Sequence, residues 1–239
     1  MMGRIRRFNL VVVFCAFLPA GVNAECVILL HGLARTANSM VKLEAALDAK
    51  GYTVANVDYP SREQPIEALA PIAVDAGLDT CEPATPDPIH FVTHSMGGIL
   101  VRYYLENYQL SNLGHVVMIA PPNQGSEVVD ELAEVPGFAT VNGPAGLQLG
   151  TGENSMPLQL GPVDYSVGII AGTKTFNPVL SKFLPNPDDG KISVERTKVD
   201  GMADFRAVAV SHPFIMKDDI VIEHVMQFLE TGAFSNSAR

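Results

Sequence analysis

Positive charge is scarce in this chain of 239 residues, where 16 Lys and Arg stand against 26 Asp and Glu and leave a formal charge of −10. So acidic a balance argues against nucleic acid or an anionic membrane as partner, because both are gripped by clustered cations. Long apolar runs are missing as well. The stretch Leu10 to Leu18 holds nine apolar residues, against the roughly 20 that a bilayer-crossing helix needs, so no stable membrane span is expected. Cysteine is rare, and three residues allow at most one internal bridge.

What is present starts with that apolar stretch. Arg4, Arg6 and Arg7 supply a basic n-region before it, and Val22-Asn23-Ala24 supplies a small-residue cleavage pattern after it. This predicts a secretory signal peptide over residues 1–24 and an exported protein, periplasmic or secreted, after cleavage near Ala24. The alternatives are an uncleaved anchor or a lipid-modified Cys26, the latter disfavoured by Glu25 directly before it. Residues 25–239 then suit a single α/β domain with one large core. Loss of the three arginines takes the formal charge to −13, and Cys15 leaves with the leader. Cys26 and Cys81 remain as one pair in an oxidising compartment, which predicts a disulfide, with two buried thiols as the alternative. Oligomeric state is not legible.

Short runs of Val, Ile and Leu alternate with stretches of helical period. Strands are expected at Cys26–Leu30, Tyr52–Val57, Ile89–Val92, Val116–Ala120, Val167–Ala171 and Ala207–Val210. Helices are expected over Met40–Lys50, Ile66–Leu78 with a break at Pro71, Met96–Tyr108 and Asp218–Glu230. Strands apolar throughout imply a sheet covered by helices on both faces. Proline and glycine crowd the stretch from Pro121 to Asp164 around one short helical piece near Glu127–Glu134, and long irregular segments in a compact domain are usually functional.

Thr93-His94-Ser95-Met96-Gly97-Gly98 follows one strand directly and opens a helix, the setting of a nucleophile elbow. A serine hydroxyl needs a base to take its proton, and imidazole has the matching pKa. Of six histidines, only His212 falls in a loop just past the last strand, on the edge where the carboxyl ends of parallel strands gather around a ligand. His90 and His224 fall inside elements and read as structural. A carboxylate must orient the imidazole, and chain order places it between serine and histidine. Asp189, before Gly190 in a turn, is the first candidate and Asp188 the second; Glu195, Asp200 and Asp204 follow. Backbone N–H groups of Leu33, just past His31-Gly32, and of Met96 are the candidate oxyanion donors. This chemistry needs no cofactor, and no metal site is expected.

These residues together resemble the α/β-hydrolase superfamily, and within it the bacterial secreted lipases and carboxylesterases. The resemblance runs from Cys26 to about Phe228. Thr93 to Gly98 is similar to the lipase elbow, with Thr93 where the first glycine of G-x-S-x-G stands. Asp189-Gly190-Lys191-Ile192 resembles the acid turn, Ser211-His212 the histidine loop, and Ala120 to Ser126 the segment after the next strand in lipases and lipid acyltransferases. It implies an α/β-hydrolase fold, with a mostly parallel sheet, helices on both faces and a small or absent lid. It also implies hydrolysis of a small-molecule or lipid ester through an acyl-enzyme on Ser95. An acyltransferase using the same three residues is the first alternative, and a binding protein that keeps the fold without the chemistry is the second.

Overall fold

The computed structural model describes residues 25–84, 87–175 and 177–234. The expected signal peptide, residues 1–24, lies outside the described residues. In chain order the main elements are β1 Cys26–Leu30, α1 Val41–Asp48, β2 Thr53–Val57, α2 Ile66–Cys81, β3 Ile89–His94, α3 Met96–Asn107 and β4 Leu113–Ile119. There follow α4 Glu127–Leu132, α5 Phe138–Leu147, α6 Met156–Gln159, β5 Val167–Gly172, α7 Val194–Thr197, β6 Asp204–Val208 and α8 Asp219–Thr231. No helix among the described residues is long and apolar enough to cross a membrane.

The six strands form one sheet in the order β2-β1-β3-β4-β5-β6, and every pairing is parallel. Period-two alternation divides each central strand between two cores. Ile28, Leu30, Phe91, Met118 and Ile169 pack with Leu69, Val74, Ile99 and Val101 of α2 and α3. Val27, Leu29, Val92, Val117 and Ile170 pack with Leu43, Leu47, Val225 and Phe228 of α1 and α8 on the other face. Strands buried on both sides carry no polar alternation, which is why they read as continuous apolar runs.

Several boundaries differ from the sequence expectation, β3 running on to His94 and β4 starting at Leu113 among them, and two of the differences have a clear physical cause. The helix α2 runs through Pro71 to Cys81 without ending. Pro71 deletes a single N–H, whereas the stripe Ile66, Leu69, Ala70, Ala73, Val74, Gly77 and Cys81 is buried along the whole length. That continuous burial outweighs one lost hydrogen bond of about 1 kcal/mol and the ring clash near it. Gly77 lets α2 lie close on β1, since a methyl there would stand 2.5 Å from the Ile28 Cγ2. The last strand starts at Asp204 rather than Ala207 because β6 is an edge strand, paired on one side only and mostly half-exposed.

Cys26 and Cys81 are joined by a disulfide with Cα atoms 6.0 Å apart. It ties the start of β1 to the end of α2. The crosslink spans 55 positions of sequence, and the chain-entropy model gives such a loop about 4 kcal/mol of stabilisation. Reduction is therefore expected to lower the melting temperature by roughly 10 °C. Calorimetry with and without reductant measures it; an unchanged transition with both thiols alkylated would show that the bridge adds nothing.

Candidate active site

The chain leaves β1 toward β2 on one side of the sheet and returns through β3 to build the other, so strand order reverses between β1 and β3. Ligands of open parallel sheets bind in the crevice beyond the strand ends at such a switch point. Backbone strain collects there too. The three non-glycine residues with positive φ among those described, Ala34, Ser95 and Ala120, all follow the carboxyl ends of β1, β3 or β4. Residues held in such conformations each cost on the order of 1–3 kcal/mol and persist where surrounding structure fixes them.

Ser95 sits between β3 and α3 at φ 53° and ψ −123°. Its N–H donates to the Ile119 carbonyl at 2.8 Å, and its own carbonyl accepts from Gly98 at 3.0 Å, so both sides of the turn are pinned. Gly97 makes the turn possible: a methyl there would lie 2.6 Å from the Leu30 carbonyl oxygen. Thr93, where the common pattern has glycine, is fully buried, and its Oγ1 has no hydrogen-bond partner among the described residues.

His212 lies in the loop between β6 and α8, and its two ring nitrogens face different partners. Its Nδ1 is 2.7 Å from Asp189 Oδ2, and its Nε2 is 3.1 Å from Ser95 Oγ. Asp189 is fully buried. Its Oδ1 accepts from the N–H groups of Lys191 and Ile192 at 2.9 and 2.8 Å, which aims Oδ2 at the imidazole. The Asp189 carbonyl also accepts from the His212 N–H at 3.0 Å. Asp188 turns the other way, accepting from Ser181 Oγ at 2.6 Å and Gly190 N–H at 2.7 Å. Glu195 pairs with Lys198, and Asp204 accepts from the Phe234 N–H, both away from the imidazole.

Leu33 N–H lies inside the turn closed by Arg35 N–H to the Gly32 carbonyl at 3.2 Å. Met96 N–H is the first of α3, among the donors that a helix leaves unpaired at its start. Leu33 and Ser95 line the same cavity, of about 80 Å³, with Pro122, Val128, Phe138, Leu149, Ile192 and His212 on its other walls.

The remaining histidines serve the frame. His31 is buried and stacked on Tyr59 with ring centroids 4.1 Å apart, and the Tyr59 hydroxyl donates to the His31 carbonyl. His90 stacks on His115, and His224 meets Phe234 edge-on. His94 is nearest the candidate site. Its Nε2–H donates to the His212 carbonyl at 3.2 Å, bracing the histidine loop against the elbow. Burial, followed by the neighbouring His212 and Arg35, holds its pKa well below the usual histidine value, so it stays neutral at pH 7.

Sequence reasoning missed the residue that anchors the roof. The segment from Pro121 to Asp164 carries α4, α5 and α6, and Val128, Phe138 and Leu149 bring it over the cavity as a small lid. Arg102 of α3 is buried beneath it. Its guanidinium donates to the Asn123 carbonyl at 2.9 Å near the start of this segment and to the Leu160 and Gly161 carbonyls at 2.8 and 2.9 Å near its end. A buried guanidinium whose two terminal nitrogens donate to carbonyls at both ends holds the roof in register, although its Nε has no partner among the described residues. The available signal was one arginine three positions after Ile99, on the buried face of an apolar helix.

A parallel sheet with helices on both faces, and a strained serine at a strand-to-helix turn on its carboxyl edge, define the class of α/β hydrolases. The chain belongs to the alpha/beta hydrolase family, whose model matches residues 27–215. Among solved structures it is similar to the mature lipase BlEst2 of Bacillus licheniformis, at a TM-score of 0.70 and 16% identity over 87% of this chain and 93% of that one. It is similar to lipase B of Aspergillus fumigatus, at 0.63 and 13% over 90% of this chain and 55% of that one. It is also similar to the phospholipase PlaB of Legionella pneumophila, at 0.58 and 21% over 73% and 46%. These are likenesses of fold. No curated protein sequence matches the chain.

Proposed function

We propose that the protein is an exported serine hydrolase that cleaves carboxylic esters. Its structural neighbours that are lipases favour that class of substrate. The observation that carries the reading is the continuous line of hydrogen bonds from buried Asp189 through His212 to Ser95 Oγ at the cavity wall. Ser95 Oγ attacks the ester carbonyl while its proton passes to His212 Nε2. Asp189 holds the proton on Nδ1 and stabilises the imidazolium. The N–H groups of Leu33 and Met96 receive the oxyanion. The alkoxide leaves with the proton from His212, and a water, deprotonated by the same nitrogen, releases the carboxylic acid from Ser95. The disulfide supports an oxidising compartment.

So small an apolar cavity suits short acyl chains. Treatment with a fluorophosphonate followed by peptide mass spectrometry is expected to place the label on Ser95, and turnover of p-nitrophenyl esters is expected to fall as the acyl chain lengthens. A label on another residue overturns the assignment. A rate that climbs toward long chains overturns the substrate reading.

A further inference from the structure

The cavity beside Ser95 is largely apolar, with Ser126, Asn142 and the two histidines His94 and His212 among its polar lining, and two exposed cations stand at its rim. Arg35, in the loop after β1, and Lys191, in the turn after Asp189, both line it. Neither forms an ion pair among the described residues, although this chain has ten more acids than bases. Neither nearby carboxylate pairs with them. Asp189 is bonded through both oxygens, and Asp58, across the neighbouring groove that Arg35 also borders, accepts from Ala37 N–H and lies 3.5 Å from His31 Nε2. Lys191 reaches solvent, yet enough protein surrounds its ammonium that burial, followed by repulsion from Arg35, lowers its pKa, with Asp189 opposing. Two cations held near one another at a partly desolvated rim are disfavoured by mutual repulsion, and an anion between them relieves it. Their backbones are fixed by local structure: Arg35 N–H closes a turn onto Gly32, and the Lys191 carbonyl accepts from Ser126 Oγ at 2.8 Å.

We infer that Arg35 and Lys191 form a subsite for an anionic oxygen group on the substrate, so that the preferred ester carries a phosphate or a carboxylate close to the scissile carbonyl. The inference rests on the hydrolase reading above. The acyl chain enters the apolar part of the cavity between Leu33, Val128 and Phe138, and the charged group stays at the rim. There guanidinium and ammonium supply charge-assisted hydrogen bonds, roughly twice as strong as neutral ones. In a chain otherwise acidic, this local reversal of field draws anionic esters to the one place where Ser95 is exposed.

The test compares matched pairs of soluble esters. Dibutyryl glycerol phosphate against dibutyrylglycerol places the anion on the alcohol side. The 4-nitrophenyl monoester of glutaric acid against 4-nitrophenyl butyrate places it on the acyl side. For the wild-type protein, kcat/KM is expected to favour the charged member of at least one pair, and which pair responds identifies the source of the anion. In Arg35→Gln and in Lys191→Gln the charged-to-neutral ratio is expected to fall about tenfold, whereas Lys191→Arg keeps it. Rising salt should lower the ratio in the wild type. Equal losses on both members of each pair, or a ratio lost in Lys191→Arg as in Lys191→Gln, overturn the subsite and leave the hydrolase standing. If no ester of either kind is turned over, the hydrolase reading fails and the subsite fails with it.

Discussion

Replacing Ser95 by alanine is expected to lower ester turnover by about 10⁴-fold or more and to leave the melting temperature within a few degrees of the parent. Both halves follow from the geometry. The change removes Oγ, the Ser95 atom hydrogen-bonded to His212 Nε2 at 3.1 Å. It leaves the backbone of the elbow as it was, because Ser95 N–H to Ile119 and Gly98 N–H to the Ser95 carbonyl involve no side-chain atom. Alanine and serine also pay the same penalty at a φ of 53°. The small remaining rate reflects the binding cavity and the N–H donors. Kinetics on a short-chain ester, beside a thermal melt of the same preparation, measures both. Retention of parent-level turnover with an intact fold would remove Ser95 from the reaction.

The parts of this molecule that were legible in its sequence share one property: their local chemistry leaves a single solution. Strands β1, β3, β4 and β5 are apolar on both faces because helices cover both faces, so their pattern is visible without the partners. The sequence also singles out Ser95 by its setting between strand and helix and His212 by its loop, and the chain brings these two into contact across 117 positions. Where competing interactions decide, the sequence is silent. Pro71 marks a break locally, but the buried stripe of α2 is a tertiary effect. Edge strand β6 starts with half-exposed Asp204, Phe205 and Arg206, so only its later residues look like a strand. The roof helix α5 contains Gly143 and Pro144, with Gly143 at φ 66° splitting it in two, and no single period describes it. Arg102 is opaque for another reason: apart from Asn123 Oδ1 its partners are backbone carbonyls, which every sequence supplies everywhere.

Asp188 and Asp189 show the same limit at one residue's resolution. Both are acidic and both buried, so the sequence ranks Asp189 first only by its place directly before Gly190 and cannot show what each carboxylate meets. Hydrogen bonds can. Asp189→Asn is expected to cost on the order of 10⁴ in kcat, and Asp188→Asn less than about tenfold. The Lys191 and Ile192 N–H groups require an acceptor at Asp189 Oδ1. An asparagine there must turn its carbonyl toward them, because the opposite flip would leave two buried donors facing an NH₂. Its NH₂ then points at His212 Nδ1 and makes that nitrogen an acceptor. The proton is driven to Nε2, the nitrogen that must be free to take the proton of Ser95. At position 188 the substitution is benign for the imidazole: an amide NH₂ can donate to Ser181 Oγ while its carbonyl still accepts from Gly190 N–H. Steady-state kinetics of the two variants on one ester, with melting temperatures to show that both fold, decides between them. If Asp188→Asn is the more damaging, the hydrogen-bonded line through Asp189 is structural and the orienting acid must be sought at position 188.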